Sequence, residues 1–291
     1  MRWDKARRSD NVIDSRGRSG RGGGGGGGKL GLAGIAIVVV LGLISGEDPM
    51  RILSRVLGQL DSSTFTTQQS APPPASQAQD VDFVRAILGD TEDTWQALFA
   101  QSNEAYRFPK LELFRNGVNS ACGYAQSAVG PFYCPADQKI YLDLQFFDDM
   151  ERQFAASGDF ARAYVIAHEV GHHVQTLLGV SAKVNRARQQ GQRVEGDNGL
   201  LVRQELQADC LAGVWAYHAQ QRHQWLEAGD VDDALRAANA IGDDRLQQQS
   251  QGRVVPDAFT HGTSAQRVRW FRSGFEHGDP ARCDTFKASR L

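Results

Sequence analysis

The feature that most constrains this chain of 291 residues is the pentapeptide His168-Glu169-Val170-Gly171-His172. In an α-helix, residues four positions apart lie on one face, so the two histidines can direct their imidazoles at one point. Glu169 lies about 100° round the helix from His168, where it can reach a water at that point but cannot comfortably be a ligand as well. The pattern therefore predicts a helix with two metal ligands and a general base, although chance alone would produce it in roughly 1% of such chains.

The helix that carries this motif has recognisable ends. Asp159 is a suitable N-cap and Gly179 a stop signal, which predicts a helix running to about Leu178. Gly171 is small, lies between the two histidines and leaves room for close approach. His173 points away from the metal-binding face, so we expect it to be a packing or surface residue.

A catalytic zinc ion needs a third protein ligand and an open fourth position. The downstream candidates are Glu195, Asp197, Glu205, Asp209, His218, His223 and His261. Glu205 and Asp209 are favoured because they are four residues apart on a predicted apolar helix, Leu200 to about Gln221, where buried acids need partners. We expect Glu205 to bind zinc and Asp209 to accept the free ring N–H of His168 or His172. The alternative is a structural salt bridge with Arg203 or another base.

These residues resemble the gluzincin pattern of zinc peptidases. The chain more closely resembles the bacterial "putative neutral zinc metallopeptidase" family. That resemblance is carried by Met1-Arg2-Trp3, Asn11-Val12 and the glycine run, ACG at 121–123, GPFYCP at 130–135, IYLD at 140–143, AYVIAHEVGHHVQ at 163–175 and LQADCLAGVW at 206–215. It covers nearly the whole chain. It implies a single-pass membrane protein with a zincin-like domain that holds Zn²⁺ and acts on peptide or protein substrates.

The mechanism that this predicts is metal-assisted hydrolysis of an amide bond. Glu169 is the expected general base, which takes a proton from the attacking water and passes it to the leaving amine. The oxyanion needs a donor besides the metal, and His261 is the candidate, with Tyr164 and Arg267 as rivals. Two other functions stay open: a zinc-binding pseudo-peptidase that serves as an envelope scaffold or interaction protein, and a binding module with structural histidines.

An apolar run from Leu30 to Ser45 contains sixteen residues without a charge. At 1.5 Å per residue it spans ~24 Å, a little short of the ~30 Å hydrocarbon core. We favour a transmembrane helix at 29–46 over a signal-peptide core, which usually follows a shorter basic head, and over a buried helix. Residues 1–29 carry eight Lys/Arg against three Asp. The N-terminus is therefore expected in the cytoplasm, anchored in the inner membrane, with the domain in the periplasm or outside the cell.

Composition divides the chain into four parts. They are a solvated basic and Gly-rich tail at 1–28, the span at 29–46, a disordered linker at 47–80 and the zinc metallopeptidase domain at 81–291. Strands are predicted at 110–115 and 139–143. Helices are predicted around 84–99, at 159–178 and 200–221, from Asp230, and from a capping box of Thr263 and Gln266. The fold class is α+β, mainly helical with a small sheet. A net charge of −2 gives no support for nucleic-acid binding.

The four cysteines are an even number, which suits an oxidising compartment. We favour the pairs Cys122–Cys134 and Cys210–Cys283, because a short loop needs least help from the fold to close. The two other pairings, and free buried thiols, stay open at this stage.

Overall fold

The computed structural model describes residues 1–17, 77–127, 130–154, 158–227, 229–240, 242–245, 247 and 253–291. Residues 1–16 and the chain from residue 77 onward belong to one compact unit. The predicted span at 29–46, and the predicted linker at 47–80 up to residue 76, lie outside the described residues. Among the helices that are described, none combines the length and the apolar character needed to cross a membrane.

The main sheet has four strands in the order β1-β2-β6-β5. They are β1 (Val12–Asp14), β2 (Lys110–Phe114), β5 (Phe132–Cys134) and β6 (Lys139–Asp143). Strands β1 and β6 lie parallel to β2 on either side of it, and β5 lies antiparallel to β6. A separate antiparallel hairpin is formed by β3 (Gly117–Ser120) and β4 (Gly123–Gln126). The two predicted strands are confirmed, whereas β1, β3, β4 and β5 were not predicted because each is too short to show a period of two.

Helices make up most of the described domain, which confirms the mainly helical α+β class. They are α1 (Gln77–Gln101), α2 (Gln145–Phe154), α3 (Asp159–Leu177), α4 (Val180–Gln189), α5 (Leu200–His223), α6 (Asp230–Ala240) and α7 (Ser264–His277), with short 3₁₀ turns at Pro256–Ala258 and Pro280–Cys283. The predicted capping box is present at the start of α7. Helices α2 and α4 were not predicted.

Helix α3 is buried on almost all sides and lies in the main hydrophobic core. It packs against α5, and Gly171 lies at this crossing. A Cβ atom at residue 171 would lie 2.9 Å from the carbonyl oxygen of Ala208 and 3.1 Å from its Cα. Real Cβ atoms essentially never come that close to a backbone oxygen, so the glycine permits the helix spacing. The expectation that Gly171 allows close approach is thereby confirmed, and the element that approaches is α5.

The first sixteen residues, here called the N-terminal arm, are part of the folded unit. Strand β1 extends the main sheet, and Ala6 and Val12 are buried in its core. The prediction of a solvated tail at 1–28 is therefore wrong for residues 1–16. It treated the arm and the glycine run as one segment, although the arm has apolar residues that are buried and charges that find partners. The folded domain also begins before residue 81, because α1 starts at Gln77.

Two disulfides are formed, Cys122–Cys134 and Cys210–Cys283, as predicted. All four cysteines are therefore paired, and the alternative of free thiols is wrong. The first bond joins the turn of the β3–β4 hairpin to β5. The second joins α5 to the C-terminal 3₁₀ turn, directly after the predicted site residue Asp209.

Candidate metal centre

Three side chains from α3 and α5 converge on one point. His168 Nε2 lies 3.2 Å from His172 Nε2 and 3.2 Å from Glu205 Oε2, and His172 Nε2 lies 3.4 Å from Glu205 Oε1. Ligand atoms at about 2.0–2.1 Å from a tetrahedral zinc ion are separated by about 3.3–3.4 Å. The three predicted ligands therefore already have the spacing of a zinc site, and among the described residues they form the group that could hold a metal.

Hydrogen bonds on the far side of each imidazole decide which nitrogen faces this point. His168 Nδ1 lies 2.8 Å from Asp209 Oδ1, and His172 Nδ1 lies 2.9 Å from Gln175 Oε1. Both partners are oxygens that accept, so both Nδ1 atoms donate, and in a neutral ring the lone pair then lies on Nε2. Two lone pairs and a carboxylate that face each other repel unless a cation lies between them. The donor set of two histidines and one glutamate fits a catalytic zinc ion.

Asp209 is the centre of a buried network behind His168. Its carboxylate accepts from Tyr164 Oη at 2.6 Å, and from Arg267 Nε and Nη2 at 2.9 Å each. Burial alone would raise the pKa of Asp209, but the charges of Arg267 and His168 outweigh burial and lower the pKa to about 2. Asp209 therefore accepts the ring N–H of His168, whereas the ring N–H of His172 has a different acceptor. Asp209 does form an ion pair, with Arg267, whereas Arg203 donates to backbone carbonyls instead.

The acceptor for His172 was not predicted. Gln175 is fully buried, and its amide nitrogen donates to Gln204 O at 2.7 Å and Gln207 Oε1 at 3.0 Å. These bonds to α5 orient the amide so that its oxygen faces the imidazole. The only sequence signal was position, because Gln175 lies three residues after His172 and therefore one turn away on the same helix.

The charges at the site explain its protonation. Burial lowers the pKa of His168, but Asp209 and Glu205 outweigh it and raise the value to about 10. Burial also lowers the pKa of His172, and Glu205 raises it above its usual range. Burial raises the pKa of Glu205, yet the two histidines bring it well below 4.5. Because metal binding requires neutral imidazoles, these raised pKa values predict that binding of a metal is coupled to the release of protons.

Glu169 is buried beside the ligands, with 7% of its surface exposed. Burial raises its pKa, although the charges of His168 and His172 oppose the rise. A carboxylate whose pKa is shifted toward neutrality is better matched to take and return a proton during a reaction. The geometry is consistent with the predicted role as general base, which stays a prediction.

His261 lies on the loop before α7, with 50% of its side chain exposed. Its Nδ1 lies 3.2 Å from Asp243 Oδ1, and the other oxygen of Asp243 accepts the backbone N–H of Thr260, His261 and Gly262 at 2.6–3.1 Å. Burial lowers the pKa of His261, but Asp243 and the nearby Glu205 raise it above its usual value. Asp243 thus orients the imidazole of His261 and favours its charged form. No sequence signal indicated Asp243, which lies 18 residues away.

The family model described as "Putative neutral zinc metallopeptidase" matches residues 1–286. This chain belongs to that family. It is 49% identical over 291 residues to the "Uncharacterized protein YpfJ" of Escherichia coli (strain K12), which covers 99% of this chain and 100% of that relative. It is 47% identical over 219 residues to the "Uncharacterized protein Rv2575" of Mycobacterium tuberculosis (strain H37Rv), and this match covers 72% of this chain and 73% of that relative. No solved structure matches the chain.

The remaining candidates of this family member lie elsewhere. Tyr164 and Arg267 are buried and directed at Asp209, so neither rival of His261 is placed to meet a substrate. His218 Nε2 lies 2.8 Å from the carbonyl oxygen of Gly278. His223 Nε2 lies 3.0 Å from the carboxylate of Asp90.

His173 is fully buried, as a packing residue should be. Its Nε2 lies 2.6 Å from Arg107 O, and its Nδ1 lies 3.1 Å from Tyr133 Oη. Burial lowers its pKa to about 4. The neutral ring therefore links α3 to the strand region, in agreement with the expectation that His173 is a packing residue.

Proposed function

We propose that this protein is a zinc-dependent peptidase that hydrolyses peptide bonds, with Glu169 as general base. The observation that carries the proposal is the convergence of His168, His172 and Glu205, whose ligand atoms lie 3.2–3.4 Å apart beside the buried Glu169 carboxylate. A site that only binds zinc has no need of a carboxylate at this position. Membership of a zinc metallopeptidase family supports both the metal and the reaction class.

Each residue has a defined part in this proposal. His168, His172 and Glu205 would hold the ion and leave one position open. Zinc bound there supplies a Lewis acid for the scissile carbonyl and lowers the pKa of a water. Glu169 accepts the proton of the attacking water and passes it to the leaving amine. His261, oriented by Asp243, donates a hydrogen bond to the oxyanion.

The test uses the full chain, purified without a chelator. We expect about one zinc per chain, and hydrolysis of at least part of a peptide library. Glu169→Gln should retain zinc and lose about 10²–10⁴-fold in rate, because it keeps the shape of the side chain but cannot take a proton. Zinc without any Glu169-dependent hydrolysis would favour the pseudo-peptidase, and a zinc-free chain would exclude both functions.

We also propose that the domain works in an oxidising compartment outside the cytoplasm. Two disulfides support this location, because cytosolic thiols are kept reduced. Alkylation of the protein in intact cells, followed by mass spectrometry, should find all four cysteines protected. Alkylated Cys122 or Cys134 in the native protein would contradict this location.

A further inference from the structure

The N-terminal arm is bound to the domain along its whole length. Its backbone donates from Arg2 to Trp225 O at 3.0 Å and from Ser9 to Arg85 O at 2.9 Å. Farther along, Val12, Ile13 and Asp14 pair with Leu111, Glu112 and Leu113 of β2 in register. The arm therefore occupies an edge of the sheet that would otherwise expose unpaired backbone groups.

A buried carboxylate of the domain depends on the arm for its partners. Glu92, on α1, has 1% of its surface exposed. It accepts from Arg7 Nη2 at 2.8 Å, Ser9 Oγ at 2.6 Å and Asn11 Nδ2 at 2.7 Å. A charge in this environment is costly without such partners, so the domain and the arm are mutually dependent.

Gly89 in the middle of α1 provides an independent indication. A Cβ atom there would lie 2.5 Å from the carbonyl oxygen of Arg7 and 3.1 Å from Ser9 N. A glycine inside a helix costs about 0.5–1 kcal/mol relative to alanine. The close passage of the arm is what requires it at this position.

The basic residues of the arm are also used by the fold. Arg7 pairs with Asp93 at 2.8 Å, and Arg8 pairs with Asp82 at 2.6 Å. Arg2 donates to a backbone carbonyl of the domain, Gln224 O, at 2.7 Å. From the sequence alone, these charges predict an N-terminus in the cytoplasm. In the structure they bind the domain instead.

We propose that residues 1–16 and the metallopeptidase domain lie on the same side of the membrane. A single crossing by residues 29–46 would place them on opposite sides, and the arm could then make none of the contacts described above. This proposal replaces the single-pass topology that the sequence predicted, and it is independent of catalysis.

The test is a topology experiment on the full chain in cells. One epitope is inserted at Gly17, directly after the arm, and another at Gly191, where an added Cβ meets nothing within 4 Å. Protease accessibility is then compared in intact and permeabilised spheroplasts, with known cytoplasmic and periplasmic proteins as controls. Both epitopes should be accessible together or protected together. One accessible and one protected epitope would overturn the proposal.

A cross-link tests the docking itself in the same cells. Ile13 and Glu112 are paired neighbours on parallel strands, which places their Cα atoms about 4.8 Å apart, within reach of a disulfide. The double variant Ile13→Cys/Glu112→Cys should form this bond in most molecules. Adding Gly89→Ala should lower the yield several-fold, whereas adding Gly17→Ala, whose Cβ meets nothing within 4 Å, should not. A yield near zero in an otherwise folded chain would also overturn the proposal.

Discussion

Asp209→Asn is the substitution that best separates the structural and the functional roles of the site. The carboxylate accepts from His168, Tyr164 and Arg267, and the Arg267 side chain is only 3% exposed. Asparagine has nearly the same shape but no charge, and its amide N–H groups would face donors of Arg267. The guanidinium would then lose the charged carboxylate with which it pairs.

The expected size of the effect follows from that environment. Breaking a buried ion pair by removing one partner costs about 3–5 kcal/mol. Loss of the group that orients a metal-binding histidine typically weakens metal affinity about 10–100-fold. Urea unfolding of the zinc-free protein measures the first quantity. Competition with a zinc chelator of known affinity measures the second.

A second substitution distinguishes the two effects. In Asp209→Asn/Arg267→Met both charges of the buried pair are gone, so neither is left buried without the other. The double variant should therefore recover most of the lost stability but not the zinc affinity, because His168 still lacks a charged acceptor. The reasoning is refuted if Asp209→Asn changes stability by less than about 1 kcal/mol, or if the double variant recovers zinc affinity as well.

Three further predictions concern the supports of the site and the arm. Gly171→Ala should cost about 1–3 kcal/mol by overpacking against Ala208, and should weaken zinc binding, measured by unfolding and zinc titration. Removing the Cys210–Cys283 disulfide, which joins residues 73 positions apart, should lower the free energy of unfolding by about 4 kcal/mol. Removing the Cys122–Cys134 disulfide, with a separation of 12, should lower it by about 3 kcal/mol. The arginine partner of Asp82 lowers its pKa, so the pair stabilises the fold above the usual aspartate pKa of about 3.9 and this contribution is lost as the pH falls further.

Each of these three predictions has its own control. Gly17→Ala is the control for Gly171→Ala, because its Cβ meets nothing within 4 Å, and equal losses would contradict the overpacking argument. For the disulfides, both cysteines of a pair are replaced by alanine, and a larger loss for the shorter loop would be evidence against the chain-entropy estimate. Asp82→Asn should lose about 0.2–1 kcal/mol at neutral pH and less than that at pH 2. The exposed Asp10, changed to Asn, should lose nothing at either pH.

The local motifs were readable from the sequence because each acts over a few residues. Helical periodicity placed His168 and His172 on one face, and the same argument placed Glu205 and Asp209 one turn apart on α5. The stop at Gly179 and the capping box at Thr263 are likewise local signals, and both match the helix ends that the structure shows.

Other hydrogen-bond and ion-pair partners of the site residues could not be predicted from the sequence, because only packing of the folded chain brings them together. Arg267 comes from α7 to pair with Asp209, and Asp243 comes from a separate loop to orient His261. Neither lies within one helical turn of its partner, so no periodicity relates them. Gln175 lies within a turn of His172, but an amide has no charge that would draw attention to it.

The arm shows most clearly where the sequence argument was insufficient. Its basic residues and the glycines after it are typical of a solvated, cytoplasmic tail. Only the tertiary structure shows that Arg7 and Arg8 of the arm pair with acids on α1. By itself, the sequence determined the helix with two histidines and a glutamate, because spacing along the chain decides it. It favoured Glu205 as the third ligand and the two disulfide pairs that formed, but it left alternatives to each open. The tertiary structure decided which partners orient the ligands and where the first sixteen residues lie, because those contacts join segments that are distant along the chain.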